Sequence, residues 1–479
     1  IFKKIITNVD PVFDKNIFYP LRTEYDKIIG SFYSPFKVKK LLENIDELIS
    51  DNNLQFVEHN VEEIIENDGI NIKFNIFEGK RVLVERINIL GNNITNESVI
   101  RGELEVDEGD PYTKLGIEKS ISNLKARNIF KSVDYKVEDG SSRDLKKVDI
   151  KVSEKPTGEI SAGAGIGTDG GSFSFSVKEN NWLGKGVILA ASADVSAESL
   201  KGALSLTDPN YNFTGKQLSY YIENIKNEQS DSGYENNLFG AGIGLSYEKF
   251  KDIYFSPGLS LTYDDLKTDS SASDLLKKQA GSSTDLKFDY ALTSDKRDRR
   301  FMPTDGYVSK FYQELPVYSE QPHIKNSISS NHYKEVNEDI VGALKFSVTA
   351  INGLEGEDVK LSQRLSLPSR RLRGFKQGKV GPKDGEDYVG GNYTSTLNLE
   401  ANFPNFFPEK SNADIGLFFD VGNIWGVDYS NNIDDSNKVR STIGINTSWL
   451  SPAGPISFIF SNNISKASTD VTQSFNFRL

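Results

Sequence analysis

The feature that most constrains the fold is a period-two alternation of apolar with small polar residues through the last two thirds of the chain. Helical periodicity almost disappears after about residue 158. Successive side chains of a β-strand lie on opposite faces, so this pattern predicts strands with one apolar and one polar face. Clear apolar sets are Phe173, Phe175 and Val177; Leu259, Leu261 and Tyr263; Leu397, Leu399 and Ala401; and Ile456, Phe458 and Phe460.

The apolar faces of so many strands need a cover, which is either a second sheet or lipid. About 320 residues, at about 10 per membrane-crossing strand plus a connection, allow about 16 strands. We therefore predict a mainly β chain whose residues 158–479 form a 16-stranded antiparallel transmembrane β-barrel. A soluble β-sandwich or solenoid remains the alternative on pattern alone. The 37% hydrophobic content fits a barrel that divides its side chains between lipid and lumen.

The first third of the chain is an internal repeat with a period of 76 residues. The shift aligns Pro35 with Pro111, Ile45 with Ile121, and Glu78 with Glu154 without a gap. Each copy changes from helical to alternating periodicity, which predicts two α+β modules of order β-α-α-β-β at residues 1–80 and 81–157. The edge strand of such a sheet can accept an extended peptide by strand addition. A module that only spaces or packs is the competing interpretation.

Composition and motifs exclude several functional classes. The chain has no cysteine and a net charge of −12, which argues against thiol chemistry, thiolate metal sites and nucleic-acid partners. His59, His323 and His332 are scattered without metal-ligand spacing, and no catalytic constellation stands out. Residues 165–170 match a dinucleotide-binding glycine pattern, but a strand pattern follows where a helix is required, so a hairpin is predicted. We expect no enzyme activity, no cofactor and no metal.

One segment differs from an ordinary loop in its arginine content. Residues 369–375 carry three arginines and end in Arg373-Gly374-Phe375, ahead of a glycine-rich stretch. A cationic, glycine-hinged loop can fold back into a polar lumen, where a buried guanidinium needs carboxylate partners. Glu400 and Asp420 are out of phase with the apolar residues of their strands and are predicted to point inward. An exposed loop cation is the alternative for Arg373.

Seven motifs together resemble the BamA family, the central subunits of the machinery that inserts outer-membrane proteins in Gram-negative bacteria. They span essentially the whole barrel region in the family's order. The motifs are Asn180-Asn181-Trp182-Leu183-Gly184, Met302-Pro303-Thr304-Asp305-Gly306, Leu372-Arg373-Gly374-Phe375, Val380-Gly381-Pro382-Lys383, Val389-Gly390-Gly391-Asn392, Phe419-Asp420-Val421-Gly422-Asn423-Ile424-Trp425 and Trp449-Leu450-Ser451-Pro452-Ala453-Gly454-Pro455. The repeats resemble the family's POTRA modules. Because the family has up to five of them, the resemblance implies that the chain is part of a longer protein.

The resemblance implies specific roles for residues of this chain. Arg373, Gly374 and Phe375 match the family's loop-six finger, with Glu400 and Asp420 where its acidic lumen partners lie. It also implies a lateral gate between the first and last barrel strands, at which client strands add and enter the bilayer. The gate positions in the first strand are Gly158, Ile160, Ala162, Gly163, Gly165 and Gly167; those in the last are Thr472, Phe475, Phe477 and Leu479. A glycine-rich first strand predicts weak pairing between the first and last strands, which is called the seam below.

The partners implied are unfolded outer-membrane proteins, periplasmic lipoproteins docked on the POTRA modules, and outer-membrane lipid. The barrel is expected to be a monomer within a hetero-oligomeric complex in the outer membrane, with its modules in the periplasm. Two rivals remain: a related translocation-and-assembly barrel, and a two-partner secretion channel that exports one dedicated substrate.

Overall fold

The computed structural model describes the chain except residues 53, 55, 67–68, 81, 169, 301, 405, 408–412, 452–453 and 479. The described chain divides into two compact units. One comprises Ile1–Thr157 with Leu183–Gly186, and the other comprises Gly158–Trp182 with Val187–Leu479. No helix among the described residues is long and apolar enough to cross a membrane.

The first unit begins with a three-stranded sheet covered by helices. Its elements are β1 (Phe2–Val9), α1 (Leu21–Ile28), α2 (Pro35–Asp51), β2 (Val57–Glu66) and β3 (Gly69–Glu78). The sheet order is β1-β3-β2, with β1 parallel to β3 and β2 antiparallel to it. Leu41 and Ile45 of α2 are buried against Ile72 and Phe74 of β3. The apolar stripe of the helix and the alternating apolar residues of the strand therefore form one core.

The second part of this unit repeats that architecture. Its elements are β4 (Leu83–Leu90), α3 (Glu97–Arg101), α4 (Lys114–Ala126), β5 (Phe130–Asp139) and β6 (Leu145–Glu154), and its sheet order is β4-β6-β5. Ile117, Ile121 and Leu124 of α4 pack with Val148 and Ile150 of β6. The β-α-α-β-β order predicted from the repeat is confirmed.

At the end of this sheet, Glu154 closes the turn between β4 and α3. Its carboxylate accepts hydrogen bonds from the backbone N–H groups of Asn93, Ile94 and Thr95, the last at 2.7 Å. Partial burial raises the pKa of Glu154, but the N–H donors, with Thr95 first, outweigh burial and leave the pKa lowered.

The second unit is an antiparallel barrel in which sixteen strands can be traced over the described residues. Each strand pairs with its sequence neighbours, and the ring closes where the last strand meets the first. The strands are β7 (Gly158–Gly167), β8 (Gly170–Trp182), β9 (Val187–Ser196), β10 (Ser199–Tyr211), β11 (Lys216–Gln229), β12 (Tyr234–Phe250), β13 (Ile253–Thr268), β14 (Gly281–Asp295), β15 (Gly306–Ser319), β16 (His323–Asn337), β17 (Ile340–Gly353), β20 (Tyr393–Phe403), β21 (Ala413–Trp425), β22 (Arg440–Ser451), β23 (Gly454–Ser465) and β24 (Phe475–Arg478). The short pair β18 (Lys383–Asp384) and β19 (Asp387–Tyr388) lies in the connection between β17 and β20, and α5 (Asp274–Lys277) lies between β13 and β14.

The alternation predicted from sequence governs the barrel wall. Leu399 and Leu417 are exposed on the outside, whereas Asn398 and Asp420 of the same strands are buried on the inside. An apolar exterior around a polar interior is the arrangement that a bilayer requires of a barrel. The prediction of a 16-stranded antiparallel transmembrane barrel is therefore confirmed.

The connection between β17 and β20, residues 354–392, is called loop six here. Leu367, Leu372, Phe375 and Val380 of this loop form a buried cluster with Ile424 of β21. The middle of loop six is therefore packed against the inner wall of the barrel.

Candidate functional site in the barrel

The side chain of Arg373 in loop six is buried against β20 and β21. Its Nε and Nη2 atoms donate to Oδ2 and Oδ1 of Asp420, both at 2.7 Å, which is a bidentate pair. Nη2 also donates to Oε1 of Glu400 at 2.9 Å. The side chains of Arg373, Glu400 and Asp420 are 8%, 11% and 0% exposed. The structure thus brings together the arginine and the two carboxylates that the sequence singled out.

Gly374 allows the loop to pass close to the wall. Its φ is +86°, which L side chains rarely adopt, and an added Cβ would lie 2.9 Å from Oγ of Ser461 and 3.1 Å from Cγ2 of Thr442. The carbonyl oxygen of Gly374 accepts a hydrogen bond from Nδ2 of Asn463 on β23 at 3.0 Å. Phe375 follows and is buried.

Three further residues complete this cluster, and sequence reasoning did not select them. Lys345 Nζ of β17 donates to Oε2 of Glu400 at 2.5 Å, and Nδ2 of Asn398 donates to Oδ1 of Asp420 at 2.8 Å. The Arg373 guanidinium also lies 3.7 Å from the centre of the Phe418 ring. The alternation of the strands could have identified two of them: Lys345 falls between the apolar Leu344 and Phe346, and Asn398 falls between Leu397 and Leu399, so both side chains point inward.

The first part of loop six is also anchored. Lys360 Nζ lies 3.4 Å from Oδ2 of Asp264, both nearly inaccessible, and donates to Oγ of Ser283 at 2.7 Å. Arg364 pairs with Asp428 in the connection after β21. Burial raises the pKa of Asp428, but the Arg364 guanidinium and then the Val359 N–H outweigh it and leave the pKa lowered.

The predicted positions of the first strand all lie in β7. This strand pairs with β8 along its whole length, from Gly158 opposite Glu179 to Gly167 opposite Gly170. Ile160 is 75% exposed, and a Cβ added to Gly163 would meet nothing within 4 Å. The predicted hairpin at residues 165–170 follows from the β7–β8 pairing, although Asp169 lies outside the described residues.

The last strand is shorter than predicted. Phe475 and Phe477 lie in β24, but β24 begins at Phe475, so placing Thr472 in it was wrong. Thr472 instead forms an isolated antiparallel bridge with Phe375, because loop six takes up the hydrogen bonds of this backbone. Leu479 lies outside the described residues.

The seam between these two strands is narrow in the described part of the chain. Arg478 opposite Gly167 is the one ladder pair found between β24 and β7 there. One further hydrogen bond joins the N–H of Thr168 to the carbonyl oxygen of Phe477 at 3.0 Å. The β23–β24 ladder is also short, from Ser457 opposite Arg478 to Phe460 opposite Phe475. Strand pairs elsewhere in the barrel share longer ladders, as β16 and β17 do from His323 opposite Gly353 to Asn337 opposite Ile340.

No group of three or more potential metal ligands occurs within the residues the structure describes. The three histidines are separate: Nε2 of His59 lies 2.7 Å from Asp46, Nε2 of His323 lies 3.2 Å from Glu314, and Nε2 of His332 lies 2.8 Å from Ser330. The structure does not bring them together.

Comparison with known proteins supplies family matches for both units. A family model described as "Omp85 superfamily domain" matches residues 181–479, and a POTRA model described as "Surface antigen variable number repeat" matches residues 82–155. The "Outer membrane protein assembly factor BamA" of Neorickettsia risticii is 26% identical over 407 residues, covering 81% of this chain and 53% of that protein. The chain spans about half to two thirds of the length of such relatives.

Solved structures agree on the fold. BamA from Haemophilus ducreyi lacking POTRA domains 1–3 superposes with a TM-score of 0.75 at 22% identity, covering 100% of this chain and 99% of that chain. CdiB from Escherichia coli superposes with a TM-score of 0.58 at 13% identity, covering 100% and 89% of the two chains.

Proposed function

Because this chain belongs to the Omp85 superfamily, we propose that it acts as the central subunit that assembles β-barrel proteins in the bacterial outer membrane. In this proposal residues 158–479 are the barrel, and residues 1–80 and 81–157 are two POTRA modules in the periplasm. Unfolded outer-membrane proteins are the clients, and their strands add at a lateral gate between β7 and β24.

The observation that carries the proposal is the seam. A strand edge with unpaired N–H and C=O groups is a template for another strand, and proteins normally protect such edges. The described seam has one ladder pair in a barrel that is otherwise continuously hydrogen-bonded. The glycines of β7 add little side-chain packing, so opening this seam costs less than opening any other strand pair.

Arg373 of loop six has the role of a finger that holds the inner wall beside the seam. Its contacts join loop six to β20 and β21, and the Gly374 carbonyl extends the connection to β23. The cluster stabilises the wall next to β24 while the seam itself remains weak.

The protein acts without chemistry on its clients. Barrel folding is downhill, so no nucleotide, cofactor or ion gradient enters the proposal, and the subunit lowers a kinetic barrier. The exposed sheet edges of the two modules accept extended client segments, and the second module also binds periplasmic lipoproteins. Outer-membrane lipid surrounds the barrel.

The test is reconstitution of the purified chain into lipid vesicles. We expect it to accelerate the folding of two unrelated, urea-unfolded outer-membrane proteins, scored by the mobility shift between boiled and unboiled samples. Failure to accelerate either client would refute an insertase. A large steady conductance without acceleration would favour a two-partner secretion channel, and acceleration confined to one client class would favour a specialised translocation-and-assembly barrel.

A further inference from the structure

Residues 470–474, which precede the last strand, do not continue the β23–β24 ladder. The β23–β24 ladder runs from Ser457 opposite Arg478 to Phe460 opposite Phe475, and Ser461 N–H then donates to the Ser474 carbonyl at 2.8 Å. Continued in the same register, residues 470–473 would face residues 462–465, because β23 itself extends to Ser465. The ladder stops instead.

Loop six takes the hydrogen bonds of this segment. Gln473 N–H donates to the Gly374 carbonyl at 2.9 Å, Lys376 N–H donates to the Val471 carbonyl at 2.9 Å, and Val471 N–H donates to the Lys379 carbonyl at 3.0 Å. The chain just before the seam strand is therefore paired with the residues that follow Arg373.

A buried ion pair anchors Asp470, the first residue of this segment. Nε and Nη2 of Arg440, at the start of β22, donate to Oδ2 and Oδ1 of Asp470 at 2.9 and 3.0 Å, and the two side chains are 3% and 0% exposed. The same carboxylate accepts the N–H of Ala467 at 2.6 Å and that of Gly381 in loop six at 3.2 Å. Nη1 of Arg440 donates to Oδ1 of Asn423 at 2.9 Å. The carboxylate thus joins β22, loop six and the segment leading to β24.

The guanidinium of Arg440 is buried as well. Without Asp470, Arg440 would be left as a buried cation without a carboxylate, which is strongly unfavourable. The pair therefore favours one path for the chain before β24.

We propose that Asp470 and Arg440 are positioning residues for the last barrel strand: they latch residues 471–473 onto loop six and so limit β24 to its four-residue length. Releasing the latch lets these residues pair with β23 and lengthens β24 at its N-terminal end, beyond the Arg478–Gly167 pair. The inference rests on the proposed function in taking the seam as the working site. The latch itself can be measured without a client.

The experiment uses disulfide reporters in the cysteine-free chain, folded in vesicles of outer-membrane lipid composition. Lys376→Cys with Val471→Cys reports the latched path, since these backbones are hydrogen-bonded neighbours. Asn462→Cys with Gln473→Cys reports the extended ladder. With native Asp470 and Arg440 we expect the first disulfide and not the second.

Asp470→Asn removes the charge with little change in shape. We expect the yield of the 376–471 disulfide to fall about tenfold, from the loss of hydrogen bonds to a charged group, and the 462–473 disulfide to appear. The matched control is Asp428→Asn, which removes another loop carboxylate that pairs with an arginine, and should change neither yield. An unchanged 376–471 yield in Asp470→Asn, or its loss without a gain at 462–473, overturns the latch.

A second variant covers the case in which Asp470→Asn does not reach the compact, heat-modifiable form. Arg440→Lys keeps the charge but loses the bidentate geometry, so we expect a smaller shift between the two reporters in the same direction. No shift overturns the latch.

Client folding then separates the latch from the proposed function. Oxidised 376–471 chain should insert a client several-fold more slowly than the same chain after reduction. Equal rates with measurable insertion overturn the link between latch and seam. No acceleration by the native chain counts against the proposed function and leaves the reporter result standing.

Discussion

Replacing Arg373 with Ala should destabilise the barrel by about 3–5 kcal/mol. The substitution leaves Asp420, which is fully buried, without its bidentate partner, and breaking a buried pair by removing one member has this cost. Asp420 keeps the Asn398 amide and the backbone N–H of residue 373, and Glu400 keeps Lys345, so the effect should not exceed that range. The contact between the guanidinium and the Phe418 ring is lost as well.

Arg371→Ala is the matched control. Arg371 lies two residues away in the same loop, and Nη1 makes a 3.3 Å hydrogen bond to Oδ1 of Asn331. We expect its cost to stay below about 2 kcal/mol, since it loses a single, 3.3 Å hydrogen bond between an ionised donor and a neutral acceptor. The double variant Arg373→Ala with Asp420→Asn should recover part of the loss, because it removes the stranded carboxylate.

The assay is the folded fraction of the barrel in vesicles as a function of urea, read from the mobility of unboiled samples. Midpoints and slopes convert to free energies of unfolding when the slopes of the variants agree. Small, equal effects of Arg371→Ala and Arg373→Ala would refute the reasoning, since Arg373 would then behave as a surface cation. A double variant less stable than Arg373→Ala would refute the stranded-charge explanation.

Three other predictions concern the seam, the module and the barrel. Gly163→Val in β7 should fold, because the added side chain has open space, but it should stabilise the strand by up to about 1 kcal/mol and slow client insertion. The control is Gly202→Val in β10, which also has open space and should not slow insertion. Equal slowing by the two variants would contradict a role for β7 flexibility. Glu154 has a lowered pKa, so its contribution is present above its unfolded value of about 4.5 and is lost as pH falls through the folded value. The protection factors of the amides of residues 93–95, which correct for the pH dependence of intrinsic exchange, should therefore fall below about pH 4. Glu154→Gln should lose about 1.5 kcal/mol of local protection already at pH 7, and protection factors that do not change with pH in the native chain would contradict this. Boiled and unboiled samples of the chain should migrate differently on a denaturing gel, and identical mobility would contradict a closed barrel.

Local periodicity carried most of the fold. A repeat of helical and alternating segments specifies two small sheets with helices on one face, because each apolar stripe must be buried against another. The alternation after residue 158 specifies strands with opposite inner and outer faces, and the same parity assigned Glu400 and Asp420 to the lumen before any contact was known. The same alternation places Lys345 and Asn398 on the inner face of their strands.

The path of loop six and the length of the last strand were decided only by tertiary structure. Arg440 meets Asp470 across 30 positions, and no local pattern in the sequence indicated that pairing. The resemblance placed Thr472 in the last strand, but its backbone pairs with loop six, which supplies the nearest donors and acceptors. Sequence therefore determined which face each strand side chain occupies, whereas the folded lumen determined which buried charges are neutralised and where the seam strand begins.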